Sequence, residues 1–234
     1  MVTPAAAHFI KDTKIPTNTH SDSQAQPSDW VMRWAYLIKH APQSEKSKGV
    51  LQAQAQAQAH DQANLDADVL DLACGNGRHM RWLHEQGLRV LGVDKDSEAL
   101  ARCRSYGQVV MADLESATGS DGNVSWPLNQ SQFNAVIVTN YLWRPLFPYI
   151  LNALKDNGVL IYETFALGNE LIGRPSRPDF LLKQGELLQI CTNLRVVAYE
   201  EVLLSQPDRF VQRIVAIRGP KEVSGIERYR PTSR

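Results

Sequence analysis

One turn constrains the fold of this chain more than any other feature. An apolar run at residues 69–73 leads into the sequence Cys-Gly-Asn-Gly, and a helical pattern follows from Arg78. Passage from a strand to a helix through small residues is typical of the first crossover in a parallel α/β sheet, where ligands bind beyond the carboxyl ends of the strands. The small residues Ala73, Gly75 and Gly77 would let the backbone approach a ligand closely.

Apolar runs then alternate with helical patterns along the next ninety residues. The sequence predicts strands at residues 88–93, 109–112, 133–139 and 159–165, and helices at 78–86, from Asp96 or Ser97 to Cys103, and from Pro145 to about residue 154. Near-continuous apolar strands separated by helices indicate a parallel sheet covered on both faces, a doubly wound α/β fold. A helix at 179–191 and strands at 194–203 and 210–218 follow, and the turn between these two strands is too short for a parallel crossover.

The chain divides into four regions. Residues 1–28 predict a disordered tail, residues 29–68 a helix followed by a low-complexity Ala/Gln linker, residues 69–218 the α/β domain, and residues 219–234 a polar tail. In the first helix Asp29 is the expected N-cap, and aromatic or aliphatic residues recur at helical spacing. We expect this N-terminal helix to close over the active site.

Composition excludes several classes of protein. Lys and Arg number 25, as do Asp and Glu, so no net charge attracts nucleic acid or an anionic membrane. No apolar run reaches the ~18–20 residues of a membrane span, and the N-terminus does not have the pattern of a signal peptide. The 3 cysteines are scattered without metal-ligand spacing. We therefore expect a soluble cytoplasmic protein with no disulfide framework and no metal site.

Two common nucleotide-binding motifs do not fit the turn. A dinucleotide fingerprint requires a third glycine where Met80 stands, and a P-loop requires a Gly-Lys-Ser/Thr ending that is absent. Instead, an acid follows each of the next two strands, Asp94 and Asp113.

This pattern resembles the class I methyltransferases that use S-adenosylmethionine. The resemblance is carried by residues 69–77, 92–94 and 112–113, is supported by residues 157–161 and the terminal hairpin, and covers residues 69–218. Gly-Asn-Gly-Arg after the first strand and Thr-Asn-Tyr after the fourth are most similar to small bacterial enzymes of the tellurite-resistance type. The chain departs from the family at Ala73, where glycine is most frequent. The resemblance implies a Rossmann-like sheet of seven strands with the last antiparallel.

The family also implies roles for individual residues toward S-adenosylmethionine. Asp94 would accept hydrogen bonds from both ribose hydroxyls, Asp113 would accept from the adenine amino group, and Asp71 would help hold the amino-acid end. The full set of expected cofactor-binding residues is Asp71, Ala73, Gly75, Gly77, Asp94, Lys95, Asp113, Leu114 and Asn140.

The acceptor side is less defined by the sequence. Methyl transfer is an in-line displacement that depends mainly on positioning, and no catalytic residue is assigned. The candidates for substrate contact are Tyr141, Arg144, Glu163, Arg174 and Arg177. For Tyr141, a packed position in the core is as consistent with the sequence as substrate contact. Glu163 could instead belong to a polar network. The two loop arginines, Arg174 and Arg177, could bind an anionic substrate or form an Arg–Glu pair. His79 is expected to be structural, and Cys74 is expected to pack rather than react.

The sequence therefore predicts methyl transfer from S-adenosylmethionine to a small acceptor, with nucleic acid and membrane partners not expected. Methylation of RNA or protein is an alternative, for which the basic residues Lys221, Arg228, Arg230 and Arg234 are a hint. A non-catalytic cofactor-binding protein is a second alternative, since fold does not fix activity. A nicotinamide-dependent oxidoreductase is disfavoured by the missing third glycine. The oligomeric state is not predicted.

Overall fold

A computed structural model describes residues 26–38, 67–116, 124, 126–128 and 133–219. The tail was predicted at residues 1–28, and its residues 1–25 lie outside the described residues, as do the Ala/Gln repeat and the basic C-terminal residues. The helices are α1 (Asp29–Trp34), α2 (Arg78–Glu85), α3 (Ser97–Cys103), α4 (Phe147–Asn152) and α5 (Glu186–Ile190). The strands are β1 (Val69–Leu72), β2 (Val90–Asp94), β3 (Gln108–Met111), β4 (Phe133–Thr139), β5 (Leu154–Phe165), β6 (Arg195–Leu204) and β7 (Arg209–Ile217).

These strands form one seven-stranded sheet in the order β3-β2-β1-β4-β5-β7-β6. The strands from β3 to β5 pair in parallel, whereas β7 pairs antiparallel with both β5 and β6. The Rossmann-like sheet with an antiparallel last strand is therefore confirmed. Because β7 lies between β5 and β6, the terminal hairpin extends the sheet rather than folding over it.

Side chains from alternate positions on the strands form a separate core on each face of the sheet. Leu70 and Leu72 of β1 belong to the core that α4 and α5 cover, whereas Val69 belongs to the core that α1, α2 and α3 cover. This alternation follows from the two-residue period of a strand. Both faces are buried, as the continuous apolar runs predicted.

The N-terminal helix is a layer of the second core, and none of its residues lines either of the two cavities described below. Trp30 is wholly buried, and its indole N–H donates to the Ile214 carbonyl at 3.4 Å. The expected cap at Asp29 is wrong, because the Ser28 hydroxyl accepts from the Trp30 N–H at 3.2 Å. Asp29 instead lies 3.4 Å from the Arg213 guanidinium, which stacks over the Trp30 ring.

The helix predicted at residues 179–191 is also wrong over its first half. Pro178–Phe180 forms one 3-10 turn, Leu182 then bridges to Ala166, and only α5 is helical. Gly185 has a φ of +67°, which interrupts a helix. The Arg144 guanidinium donates to the carbonyls of Asp179 and Leu181 at 2.8 Å each, so that these groups bond to a side chain instead of a helical turn.

Replacement of Gly107 by alanine should destabilise the protein, because β3 approaches β2 too closely there for a side chain. A Cβ at Gly107 would lie 2.2 Å from the carbonyl oxygen of Val90, a backbone atom that cannot rotate away. Overpacking of this kind costs about 1–3 kcal/mol. Thermal unfolding should show a lower midpoint for Gly107→Ala.

Gly173→Ala is the matched control, since a Cβ at that position meets nothing within 4 Å. Its midpoint should stay within about 1 °C of the wild type. Equal midpoints for the two variants would contradict the close approach of β3 to β2.

Candidate functional site

The turn between β1 and α2 adopts a left-handed backbone at three alternate positions. The φ angles are +55° at Ala73, +53° at Gly75 and +73° at Gly77. A side chain in this region costs roughly 1–2 kcal/mol, which explains why glycine suits position 73. A Cβ at Gly77 would lie 2.6 Å from the Cys103 sulfur, whereas a Cβ at Gly75 would meet nothing within 4 Å. The turn thus packs against α3 at Gly77 and borders open space at Gly75.

Asp94 at the end of β2 is tied to this turn. Its Oδ2 accepts from the Gly75 N–H at 2.8 Å, and its Oδ1 accepts from the Asp96 N–H at 3.0 Å. These two bonds fix the orientation of the carboxylate, and each oxygen keeps capacity for a further donor. A ligand hydroxyl would find a preorganised acceptor here.

A cavity of about 170 Å³ opens beside Asp94 at the carboxyl ends of β1, β2 and β3. It is lined by Ala73, Asp94, Lys95, Ala112, Asp113, Leu114, Glu115 and Tyr141. Five of the predicted cofactor-binding residues are therefore brought together in one wall: Ala73, Asp94, Lys95, Asp113 and Leu114. Gly75 lies in the adjoining turn, hydrogen-bonded to Asp94.

Asp71 lies beneath the turn and is almost fully buried. Its Oδ2 has no hydrogen-bond partner among the described residues. Burial raises the pKa of the Asp71 carboxyl to about 7, with the nearby Arg78 guanidinium opposing that rise and the Asp94 carboxylate adding to it. An orphaned buried carboxyl oxygen at a ligand-binding turn is the kind of exception that points to a missing donor.

His79 connects this carboxyl to the N-terminal segment. Its Nε2 accepts from the Ser28 N–H at 3.1 Å, which requires the neutral tautomer with a proton on Nδ1. That Nδ1 lies 3.9 Å from the Asp71 Oδ1. Burial lowers the pKa of His79 to about 3, so the imidazole is uncharged near neutral pH. His79 is therefore structural, as expected, but it contacts the site itself.

Glu163 lies in a buried polar network, one of the two roles considered for it. Its carboxylate accepts from the Ser28 hydroxyl at 3.3 Å and lies 3.5 Å from both Arg209 and Arg213. Arg213 is held in turn by Glu200 at 2.6 Å. Glu163 lines neither of the two cavities described here.

A second cavity of about 290 Å³ adjoins the first at the ends of β4 and β5. It is lined by Glu115, Asn140, Tyr141, Leu142, Thr164, Phe165, Pro175 and Phe180. Glu115 and Tyr141 line both cavities and therefore stand at their junction. Asn140 adopts a φ of +54° and donates its N–H to the Glu163 carbonyl at 2.9 Å, which turns the chain sharply after β4.

Tyr141 presents an unused hydroxyl at this junction. The hydroxyl is buried and has no partner among the described residues, while the Tyr141 carbonyl accepts from the Tyr162 hydroxyl at 2.8 Å. Burial and the nearby carboxylates of Glu115, Asp113 and Asp94 raise the pKa of Tyr141 above its usual range. The group therefore remains protonated and can donate a hydrogen bond.

The three arginines predicted to contact substrate lie elsewhere. Arg144 is committed to Glu186, at 2.7 Å and 2.9 Å, and to the backbone of the loop before α5, so it clamps that loop. Arg177 is exposed, pairs with Asp179 at 3.1 Å and stacks on Phe180. Arg174 is exposed in the loop after β5. Within the described residues none of the three lines either cavity.

Sequence reasoning missed two residues of the site, Arg78 and Glu115. The Arg78 guanidinium lies 3.4 Å from the Thr139 hydroxyl and faces Asp71, which places a cation between β1 and β4. Its position directly after the last glycine of the turn was the available signal. Glu115 follows Asp113 by two residues and donates its N–H to that side chain at 3.0 Å. Within the described residues no cluster of three or more potential metal ligands occurs.

Comparison with known proteins agrees with this geometry. Residues 69–158 match a family model described as a methyltransferase domain. YqeM of Bacillus subtilis (strain 168), an inferred methyltransferase, is 28% identical over 144 residues, which are 54% of this chain and 50% of YqeM. The chain thus spans about half the length of this curated relative.

Solved structures share the fold. TehB from Haemophilus influenzae superposes with a TM-score of 0.52 at 16% identity, covering 65% of this chain and 57% of TehB. An S-adenosylmethionine-dependent methyltransferase from Methanosarcina mazei gives a TM-score of 0.52 at 15% identity, covering 68% of this chain and 95% of that protein.

The resemblance drawn from the motifs is therefore confirmed by both the sheet order and the family match. Residues 69–158 therefore match a methyltransferase domain, and the sheet that contains them has the fold of the methyltransferases compared above.

Proposed function

We propose that the protein transfers the methyl group of S-adenosylmethionine to a small acceptor molecule. The observation that carries this proposal is the junction of two cavities at Tyr141 and Glu115. The first cavity borders the glycine turn, and the second has the size of a small-molecule site. Two ligands could therefore lie in contact with each other at this junction.

The described residues fit the parts of the cofactor in order along the sheet edge. The first cavity, between Ala73 and Leu114, would take the adenine, and the Asp94 carboxylate would accept from the ribose hydroxyls. The open space at Gly75 leads toward the orphaned oxygen of Asp71 and the Arg78 guanidinium. These two groups have the charges needed for the ammonium and carboxylate of the methionine end.

The protein's own contribution to the reaction is positioning. When bound, the cofactor supplies a methyl carbon already activated by the sulfonium, so approach and alignment account for most of the barrier that the enzyme must lower. Tyr141 would orient the acceptor through its protonated hydroxyl, and Tyr162 holds the Tyr141 backbone in place. We assign no general base.

We also propose that the protein works in the cytoplasm. All three cysteines are free and buried, as expected of a protein kept under reducing conditions. No helix among the described residues is long and apolar enough to cross a membrane.

Removal of the Asp94 charge should weaken binding of S-adenosylhomocysteine, the thioether product. Hydrogen bonds to a charged group contribute about 1.5–3 kcal/mol, so Asp94→Asn should raise the dissociation constant roughly 10- to 100-fold. Calorimetric titration of purified protein measures this constant. NADH, titrated in parallel, should give no heat of binding.

Asp96→Asn is the matched control, because it makes the same change two residues away. The Asp96 side chain caps α3 by accepting from the N–H groups of Glu98 and Ala99, and asparagine caps helices equally well. Its affinity should equal that of the wild type. If wild-type protein does not bind S-adenosylhomocysteine, or binds NADH in its place, the proposed function is wrong.

Cofactor affinity should increase with pH up to the pKa of Asp71. In the free protein this pKa is about 7, so the carboxyl is mostly protonated at about pH 6. The ammonium group of the ligand favours the ionised form, and binding there must release a proton. The association constant should therefore rise by up to about tenfold per pH unit below pH 7 and level off above it. Calorimetry in two buffers of different ionisation enthalpy measures the released proton.

Asp71→Asn should remove this dependence, leaving weaker binding with a flat profile between about pH 5.5 and 7.5. His79 cannot supply the same profile, because its pKa of about 3 lies far below this range. A flat profile in the wild type would show that Asp71 does not meet the ammonium group.

A further inference from the structure

We propose that the second cavity binds an uncharged small molecule with an aromatic ring and one hydroxyl, thiol or amino group, and that this group receives the methyl. This inference rests on the proposed function, which leaves the acceptor open. It is carried by the shape, charge and hydrogen-bonding capacity of the wall that Tyr141, Phe165 and Phe180 form with Pro175.

The wall of the cavity is suited to a flat ring. Three aromatic side chains, Tyr141, Phe165 and Phe180, face a space that Leu142 and Pro175 complete. Aromatic rings in a pocket favour ring-bearing ligands through offset or edge-to-face contact. The loop that supplies Pro175 and Phe180 is held in place by Arg144 and by Asn169, whose amide donates to the Pro175 carbonyl at 3.0 Å. The wall is therefore preformed.

The volume indicates an acceptor of one or two rings. An apolar cavity of about 150 Å³ is sufficient for benzene. The second cavity measures about 290 Å³, which leaves room for a fused ring system or a single ring with a short substituent.

The charge of the wall disfavours an anion. Glu115 is the one charged side chain among the described residues that line the cavity. Arg144 is paired with Glu186, and Arg177 is paired with Asp179. An oxyanion such as tellurite would thus meet a carboxylate and aromatic faces, with no cation in the described wall to compensate its charge.

The junction with the first cavity supplies a hydrogen bond for the reacting group. The buried Tyr141 hydroxyl has no partner in the described structure and can bond the acceptor's hydroxyl, thiol or amino group. A lone pair of that group would form the bond to the methyl carbon as the carbon–sulfur bond breaks, with its electron pair passing to sulfur. The acceptor's proton would leave to water at the mouth, beside the exposed Glu115.

Binding of 2-naphthol and naphthalene to the protein saturated with S-adenosylhomocysteine tests this inference. The two probes share a ring system and differ only in the hydroxyl, and the fluorescence of each reports its binding. Tyr141→Phe should weaken 2-naphthol about fivefold and leave naphthalene unchanged, since one neutral hydrogen bond is lost. Phe180→Ala should weaken both about tenfold, because an apolar contact is lost. Excess tellurite should displace neither probe.

Leu171→Ala is the control, because Leu171 lies in the same loop but is 80% exposed, and both probes should bind this variant as they bind the wild type. Displacement of 2-naphthol by tellurite, or no effect of Phe180→Ala on either probe, would overturn the inference. Saturation with S-adenosylhomocysteine is measured first in every sample. If that step fails, the proposed function fails; if it succeeds and the probes do not bind, only the acceptor class is wrong.

Discussion

The rest of the structure depends on the backbone of the turn between β1 and α2. Three left-handed residues in alternation bring the chain from the centre of the sheet directly into a helix, and Gly77 must lack a side chain because α3 packs against it through Cys103. The Asp94 carboxylate holds the turn from the neighbouring strand by accepting from the Gly75 N–H. One loop thus fixes where α2 begins, how closely α3 packs and where the cavity opens. Ala73 adopts the left-handed conformation although it has a side chain, at a conformational free-energy cost of roughly 1–2 kcal/mol. The geometry of the turn is therefore kept even where glycine is absent.

A line of buried polar groups connects this turn to the N-terminal helix. That helix lies outside residues 69–158, which match the family model. The line runs from Asp71 through His79 and Ser28 to Glu163, with separations of 3.1–3.9 Å. Burial of Asp71 has a cost in stability. The Asp71 carboxyl keeps its proton up to about pH 7 in the folded protein, whereas in the unfolded chain it loses the proton above about pH 4. The free energy of unfolding therefore decreases as the pH rises from about 4 to about 7. A carboxyl kept at such a cost, with one oxygen unpartnered, is more consistent with a role toward a ligand than with stability.

The sequence was sufficient for the fold and for the strand ends at which the candidate residues lie. Hydrophobic periodicity, apolar runs and the acids after β2 and β3 are local signals. They predicted β4 at its observed bounds, and Asp94 and Asp113 line one cavity at the carboxyl ends of their strands. Properties set by distant partners were not predictable. Ser28 caps α1 because Asp29 is drawn toward Arg213, and the helix before α5 is shortened because Arg144, some 35 residues away in sequence, bonds the carbonyls that a helix would use. The same clamp holds the Arg144 guanidinium against Glu186 and the loop before α5.

A crystal structure of the protein soaked with S-adenosylhomocysteine tests the proposed cofactor site most directly. Adenine should lie in the cavity between Ala73 and Leu114, both ribose hydroxyls at about 2.5–3.0 Å from the Asp94 carboxylate, and the ligand's ammonium group beside Asp71. The sulfur should face the junction at Tyr141. Density for the ligand at any other place on the molecule, or an empty turn in crystals that tolerate the soak at saturating concentration, would contradict the assignment of this sheet edge as the cofactor site.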